Sequence, residues 1–164
     1  MINEILEIRE IDKIPKDSSK PAVKVLNKIF SKVSRIYAKS RLNNSEIVLD
    51  VNSDLFILKE GDKIEILLKE SPFYDSKNNI VGKNIFNFEN LEDFSYTRDY
   101  EYVMHGVIFH SGIEGGKIFI YASFGGLLMK YFGFNNSLSL DKIKLDKKIL
   151  LMVKRLQDNI SFNK

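Results

Sequence analysis

At 164 residues the chain has the size of one ordinary domain, enough to bury about 70% of the surface its unfolded form exposes around a single core. Its 25 Lys and Arg against 22 Asp and Glu give a net charge of +3, far short of the dense basic field of a protein that lives on phosphate backbones. With no cysteine, disulfide stapling, thiol nucleophiles and Cys-based zinc sites are excluded.

In chain order, Ile2, Ile5, Ile8 and Ile11 recur every three residues. That spacing fits a helical turn about as well as a strand, and the β-branched content tips the reading to a strand. From Pro21 to Val33, the residues Ala22, Leu26, Ile29 and Val33 fall at helical spacing. Ser18 and Ser19 stand upstream as caps and Pro21 suits a first turn, so a short amphipathic helix is expected. A strand over Val33 to Ser40 then meets a second through Leu42 to Ser45, where Asn43 and Asn44 tolerate the left-handed conformations of a tight connection. Ile47, Leu49 and Val51 alternate with Glu46, Asp50 and Asn52, and Ile64, Ile66 and Leu68 with Lys63, Glu65 and Lys69, the mark of half-buried strands. Between them lie Leu55 to Leu58 and the turn signature Glu60, Gly61, Asp62.

The stretch Glu70 to Arg98 is polar and Asn-rich, with Phe86 and Phe88 as its strong apolar anchors after Phe73 and Tyr74. Loops of this length are usually functional or disordered. Four more strands are expected over Tyr100 to Phe109, Lys117 to Phe124, Leu127 to Phe132 and Lys148 to Lys154. Gly112, Gly115, Gly116, Gly133, Asn135 and Asn136 mark their connections. The pattern is all-β, a closed or nearly closed antiparallel barrel with a helical insertion after its first strand. It forms one domain over residues 1–155, followed by a tail over 156–164. The short apolar runs, and a start lacking a basic segment followed by an apolar one, read as a soluble intracellular protein.

Two stretches stand out for function. Asp99 to Gly106 and Tyr121 to Tyr131 carry apolar or aromatic residues at both strand parities, and the second holds Gly125-Gly126, which strips side chains where another surface can approach. Tyr121, Phe124, Gly125, Gly126, Leu127, Leu128 and Met129 are therefore the candidate partner interface, with Phe124, Leu127 and Met129 as its anchors. The bland alternative is that these side chains fill the barrel's own core. A rival function is a single-stranded nucleic-acid-binding module using the basic, aromatic-bearing strand of Lys32, Arg35, Tyr37, Lys39 and Arg41. Such charge runs are usually solvated faces.

Catalytic constellations are weak. Asp99 and Glu101 share a face on an extended strand, as an acid and base pair would, yet neighbouring acids there are more often a solvated edge. Tyr100 and Tyr102 are expected to pack, with their hydroxyls finding partners at the rim. His105 and His110, with Glu114 as a third ligand, are five residues apart and point to opposite faces of a regular strand, so no metal site is assigned. The run Gly112 to Lys117 lacks the P-loop residues, with Ser111 where a Gly is needed and Ile118 where Ser or Thr is needed, and reads as a hairpin loop. No cofactor is implied.

The pair formed by Asp99 to Gly106 and Tyr121 to Lys130 resembles the signature of the small eighth subunit shared by the eukaryotic nuclear RNA polymerases I, II and III. Lys32 to Tyr37 followed by Leu49 to Phe56 resembles an earlier block of that family, and Ile5 to Asp12 its opening strand. The likeness runs to about Arg155. It implies an eight-stranded antiparallel barrel of oligonucleotide/oligosaccharide-binding (OB) type, made of two similar halves. It further implies a noncatalytic, nuclear subunit that docks on the polymerase's largest subunit, with a loose connection after the fourth strand. Lys13 to Phe30 is longer than the family's usual link, and Arg155 to Lys164 runs past its usual last strand.

Overall fold

The computed structural model describes residues 2–13, 30–72, 97–134 and 144–157. Apart from a 3-10 turn at Thr97, the regular elements among them are strands: β1 Ile2–Ile11, β2 Val33–Lys39, β3 Glu46–Asn52, β4 Lys63–Glu70, β5 Tyr102–Glu114, β6 Lys117–Phe124, β7 Leu127–Gly133 and β8 Lys148–Leu156. All neighbours pair antiparallel, and the ring closes in the order β1-β2-β3-β7-β6-β5-β8-β4. Closure follows from the two-residue period. Ile36 and Ala38, Ile47 and Leu49, Ile64 and Ile66, and Ile118 and Ile120 all point inward and are buried. Each fully buried branched side chain contributes roughly 1.5–3 kcal/mol, which a closed sheet gains with no free edge.

The ring is two similar halves, β4-β1-β2-β3 and β8-β5-β6-β7. Each has a bulge in its opening strand, between Ile8 and Glu10 in β1 and between Ile108 and His110 in β5. The same device holds each bulge. Ile8 donates to the Asp62 carbonyl at 2.9 Å and accepts from Gly61 at 2.8 Å, while Ile108 donates to Lys147 at 3.0 Å and accepts from Asp146 at 2.8 Å. Gly61 (φ 93°) and Asp146 (φ 63°) both adopt the left-handed region to make this turn. The seams between halves differ. β4 and β8 stay paired from Lys63 with Leu156 to Glu70 with Ile149, whereas β3 and β7 pair only from Glu46 with Phe132 to Leu49 with Met129.

Several expectations are corrected. In β1 the buried set is Ile2, Glu4, Leu6 and Ile8, at two-residue spacing, and Ile5 is 51% exposed, so the three-residue recurrence of isoleucines was coincidental. The expected helical insertion over 21–33 is not supported. Residues 14–29 lie outside the described residues, Phe30 to Lys32 form a bend and turn, and Val33 pairs with Asn52 as the first residue of β2. Residues 73–96 of the expected loop, 135–143, and 158–164 of the expected tail also lie outside the described residues. β5 begins at Tyr102 and continues to Glu114, beyond the expected end at Phe109. Its extension pairs with β6 because the Phe119 ring covers Gly112, and Gly115 and Gly116, both at positive φ, make a two-residue turn.

Candidate docking surface

The segment singled out in the sequence is the β6–β7 hairpin. Gly125 (φ 61°) and Gly126 (φ 101°) are its two turn residues, and positive φ at both is the demand of the type I′ turn that suits strand twist. A Cβ on either would meet nothing within 4 Å. Turn geometry therefore accounts for the glycine pair without any close approach inside the chain.

Period two divides the rest. Phe124 and Met129, two of the three expected anchors, point inward and are 4% and 2% exposed. The Phe124 ring packs over Gly106 of β5, where a Cβ would collide with it. Leu127, the third, shares their parity and packs half-buried against the same core, so what stays outside is Leu128, 44% exposed, together with the half-buried Tyr121. Cross-strand pairs extend this outer face along the hairpin, from Ser123 with Leu128, through Tyr121 with Lys130, to Phe119 with Phe132.

That face leads into an open groove of about 460 Å³ across five strands, lined by Tyr37, Val48, His110, Phe119, Tyr121 and Phe132 together with Glu46, Glu114 and Lys130. The His110 and Phe119 rings lie 5.1 Å apart and Phe119 meets Tyr121 edge-on at 6.1 Å. Lys130 Nζ sits 5.6 Å from the Tyr121 centroid and Lys117 Nζ 5.0 Å from that of Phe132. The sequence reading missed Phe119 and Phe132. Their parity opposite to Ile118, Ile120 and Tyr131 was the available signal.

The basic strand is brought together, but each cation has an acidic partner within the chain. Lys32 meets Asp54 at 3.3 Å, Lys39 meets Glu46 at 2.9 Å, Arg41 meets Glu7 at 2.6 Å, and Arg35 grips Asp50 with Nε at 2.6 Å and a second guanidinium nitrogen at 2.9 Å. The ion pair with Arg41 holds the Glu7 carboxyl below its usual range, and the hydrogen bond from Lys39 does the same to Glu46. Burial, with Glu46 alongside, pushes the Tyr37 phenol up. Asp50 also accepts from the Leu128 amide at 3.1 Å, which ties β3 to the β6–β7 hairpin just where their ladder has ended.

The weaker constellations do not assemble. Asp99 and Glu101 precede β5 and are not on a strand, and Glu101 lies 3.8 Å from Arg155. The two tyrosines separate. Tyr102 stacks on Phe56 at 5.1 Å and accepts from the Asn52 amide at 3.0 Å, while Tyr100 packs on the outer cluster of Leu67, Leu150 and Met152 and reaches Glu65 at 3.2 Å. The bulge before His110 shifts its parity, so His105 and His110 both point outward, contrary to the regular-strand expectation. Among the described residues no cluster of His, Asp or Glu is arranged to hold a metal.

The sequence matches the RNA polymerase Rpb8 family over residues 21–155. The chain belongs to the Rpb8 family. Similar curated proteins include the probable DNA-directed RNA polymerases I, II, and III subunit RPABC3 of Caenorhabditis elegans, 29% identical over 78% of this chain and 85% of that one. Subunit RPABC3 of RNA polymerases I, II, and III in Saccharomyces cerevisiae is 30% identical over 75% of this chain and 86% of its own length. Subunit 8B of RNA polymerases II, IV and V in Arabidopsis thaliana is 28% identical over 92% and 94%. The Rpb8 match spans β2 to β7 and β8 as far as Arg155, and it contains the whole β6–β7 hairpin.

Proposed function

We propose that this chain is a noncatalytic subunit of a nuclear DNA-directed RNA polymerase, and that it docks on the largest subunit through the outer face of the β6–β7 hairpin. The observation that carries the reading is the exposure of Leu128 beside the Gly125-Gly126 turn, continuous through Tyr121 with the aromatic groove. An exposed aliphatic anchor flanked by aromatic rings is the usual make-up of an interface centre. Family membership supports the assembly role, since the relatives are named as polymerase subunits. The neutralised basic strand weighs against nucleic acid as the principal partner, because phosphates would have to compete with the carboxylates already paired to these cations.

The test is affinity purification of the tagged chain from cells. Wild type is expected to bring down the largest polymerase subunit, and Leu128→Asp to lose it while keeping its folded circular-dichroism spectrum. Undiminished recovery of the largest subunit by a folded Leu128→Asp would overturn the assignment of the face. Recovery of the wild type only as a free monomer would overturn the assembly role itself.

A further inference from the structure

The β3–β7 ladder stops at Leu49 with Met129, one residue short of the hairpin end that carries Leu128. In its place a side chain takes over. Asp50, 6% exposed, accepts the Leu128 amide at 3.1 Å with one carboxylate oxygen and receives the Arg35 fork at 2.6 and 2.9 Å. Arg35 is itself clamped, since its amide donates to the Asp12 carboxylate at 2.8 Å and its carbonyl accepts from the Asp12 amide at 2.8 Å. Asp12, at φ 53°, ends β1. A relay of polar groups therefore runs from the end of β1 through β2 and β3 to the backbone of an exposed leucine in the other half of the barrel.

We infer that Asp50, oriented by Arg35, is a positioning residue that fixes Leu128 and the adjoining Gly125-Gly126 turn in the geometry the docking partner requires. The inference rests on the docking reading above and deepens it. Holding an exposed anchor in its bound conformation removes ordering entropy from association, which is how a residue that touches no partner raises affinity. A carboxylate suits the task because its two oxygens satisfy a bidentate guanidinium and a backbone amide together. The charge it buries is compensated by Arg35 in the same contact.

The experiment measures binding of the full-length chain to the purified largest polymerase subunit in a double-mutant cycle of Asp50→Ala and Leu128→Ala. Amide hydrogen exchange at Leu128 is followed in the free chain. Each single variant is expected to bind about tenfold more weakly, Asp50→Ala to expose the Leu128 amide to exchange, and the double variant to bind no worse than either. Arg35→Ala should show the same non-additivity at smaller amplitude, and stands in if Asp50→Ala does not fold. Loss of affinity in Leu128→Ala with unchanged or additive behaviour on removing Asp50 or Arg35 would sink the positioning role and leave the docking face standing. Unchanged affinity in Leu128→Ala would sink the docking face, and the positioning role with it.

Discussion

The Tyr131 hydroxyl donates to the Glu4 carboxylate at 2.8 Å across the barrel interior, joining β7 to β1, two strands that are not neighbours in the ring. The Ser45 hydroxyl donates to the other oxygen of Glu4, and all three side chains are buried. A buried carboxylate is tolerated only when its lone pairs are occupied. Tyr131→Phe keeps the ring and removes one donor. We expect it to lower stability by about 1–3 kcal/mol in urea unfolding at neutral pH. A loss under about 0.5 kcal/mol would show that the contact carries no net weight.

The same phenol sets an alkaline limit. Burial first, then the Glu4 charge and hydrogen bond, push Tyr131 well above the ordinary value of 10.0. The native state therefore holds the proton that the unfolded chain releases near pH 10. Tyr131's contribution is intact below that pH and falls, by up to about 1.4 kcal/mol per pH unit, as pH rises toward the folded value. The stability gap between wild type and Tyr131→Phe should narrow above pH 10. A gap constant from pH 8 to pH 11 would refute the assigned shift.

Phe124 and Leu128 should behave oppositely although four residues separate them. Phe124 lies in the core against Gly106, and Leu128 is 44% exposed. Phe124→Asp places a charge in the barrel and is expected to abolish the cooperative thermal transition, since Phe→Ala at a buried site already costs about 3–5 kcal/mol. Leu128→Asp should melt within a few degrees of wild type and lose only its partner. A folded Phe124→Asp would mean that the β6 inward parity is wrong.

Parity explains what the sequence made legible. Strands with clean alternation, such as Ile47, Leu49, Val51 and Ile64, Ile66, Leu68, were readable because these residues line the core while polar side chains such as Glu46, Lys63 and Glu65 stand between them on the half-buried outer face. β1 was ambiguous because Ile5 is an exposed isoleucine and Glu4 a buried acid, each the reverse of the usual sorting. The Glu4 contact with Tyr131 joins residues 127 positions apart, and no local pattern encodes it. The β5 bulge escaped notice because its cause lies in the Asp146 and Lys147 turn that grips Ile108. The β6–β7 hairpin was legible as two strands joined at a glycine pair. Which of its side chains face outward was not, since Phe124, Leu127, Leu128 and Met129 are all apolar and only the turn phase decides it.

The isolated chain should bind single-stranded nucleic acid no better than a generic cation-bearing surface. Lys32, Arg35, Lys39 and Arg41 are engaged by Asp54, Asp50, Glu46 and Glu7. Fluorescence anisotropy with a short labelled strand at physiological salt is expected to give a dissociation constant of about 10 μM or weaker. Submicromolar affinity falling steeply with added salt, and lost when Lys39 and Arg41 are changed to Ala, would restore the nucleic-acid reading.

Gly106 and Gly125 are glycines for different reasons, and alanine should separate them. At Gly106 a Cβ would strike the Phe124 ring and the Ser123 carbonyl oxygen, one of them backbone that cannot swing aside. Gly106→Ala therefore has to move β5 from β6 or push Phe124 off its rotamer, an overpacking cost of about 1–3 kcal/mol. At Gly125 space is open, and the cost comes from φ 61°, about 1 kcal/mol for a residue carrying a Cβ. Thermal unfolding should rank Gly106→Ala below Gly125→Ala, with shifts of roughly 2–4 °C per kcal/mol for a domain of this size. A second measurement fixes the cause. Phe124→Leu, which shortens the ring that a Cβ would meet, should rescue part of the loss in Gly106→Ala and none in Gly125→Ala, and equal rescue of both would refute the packing account.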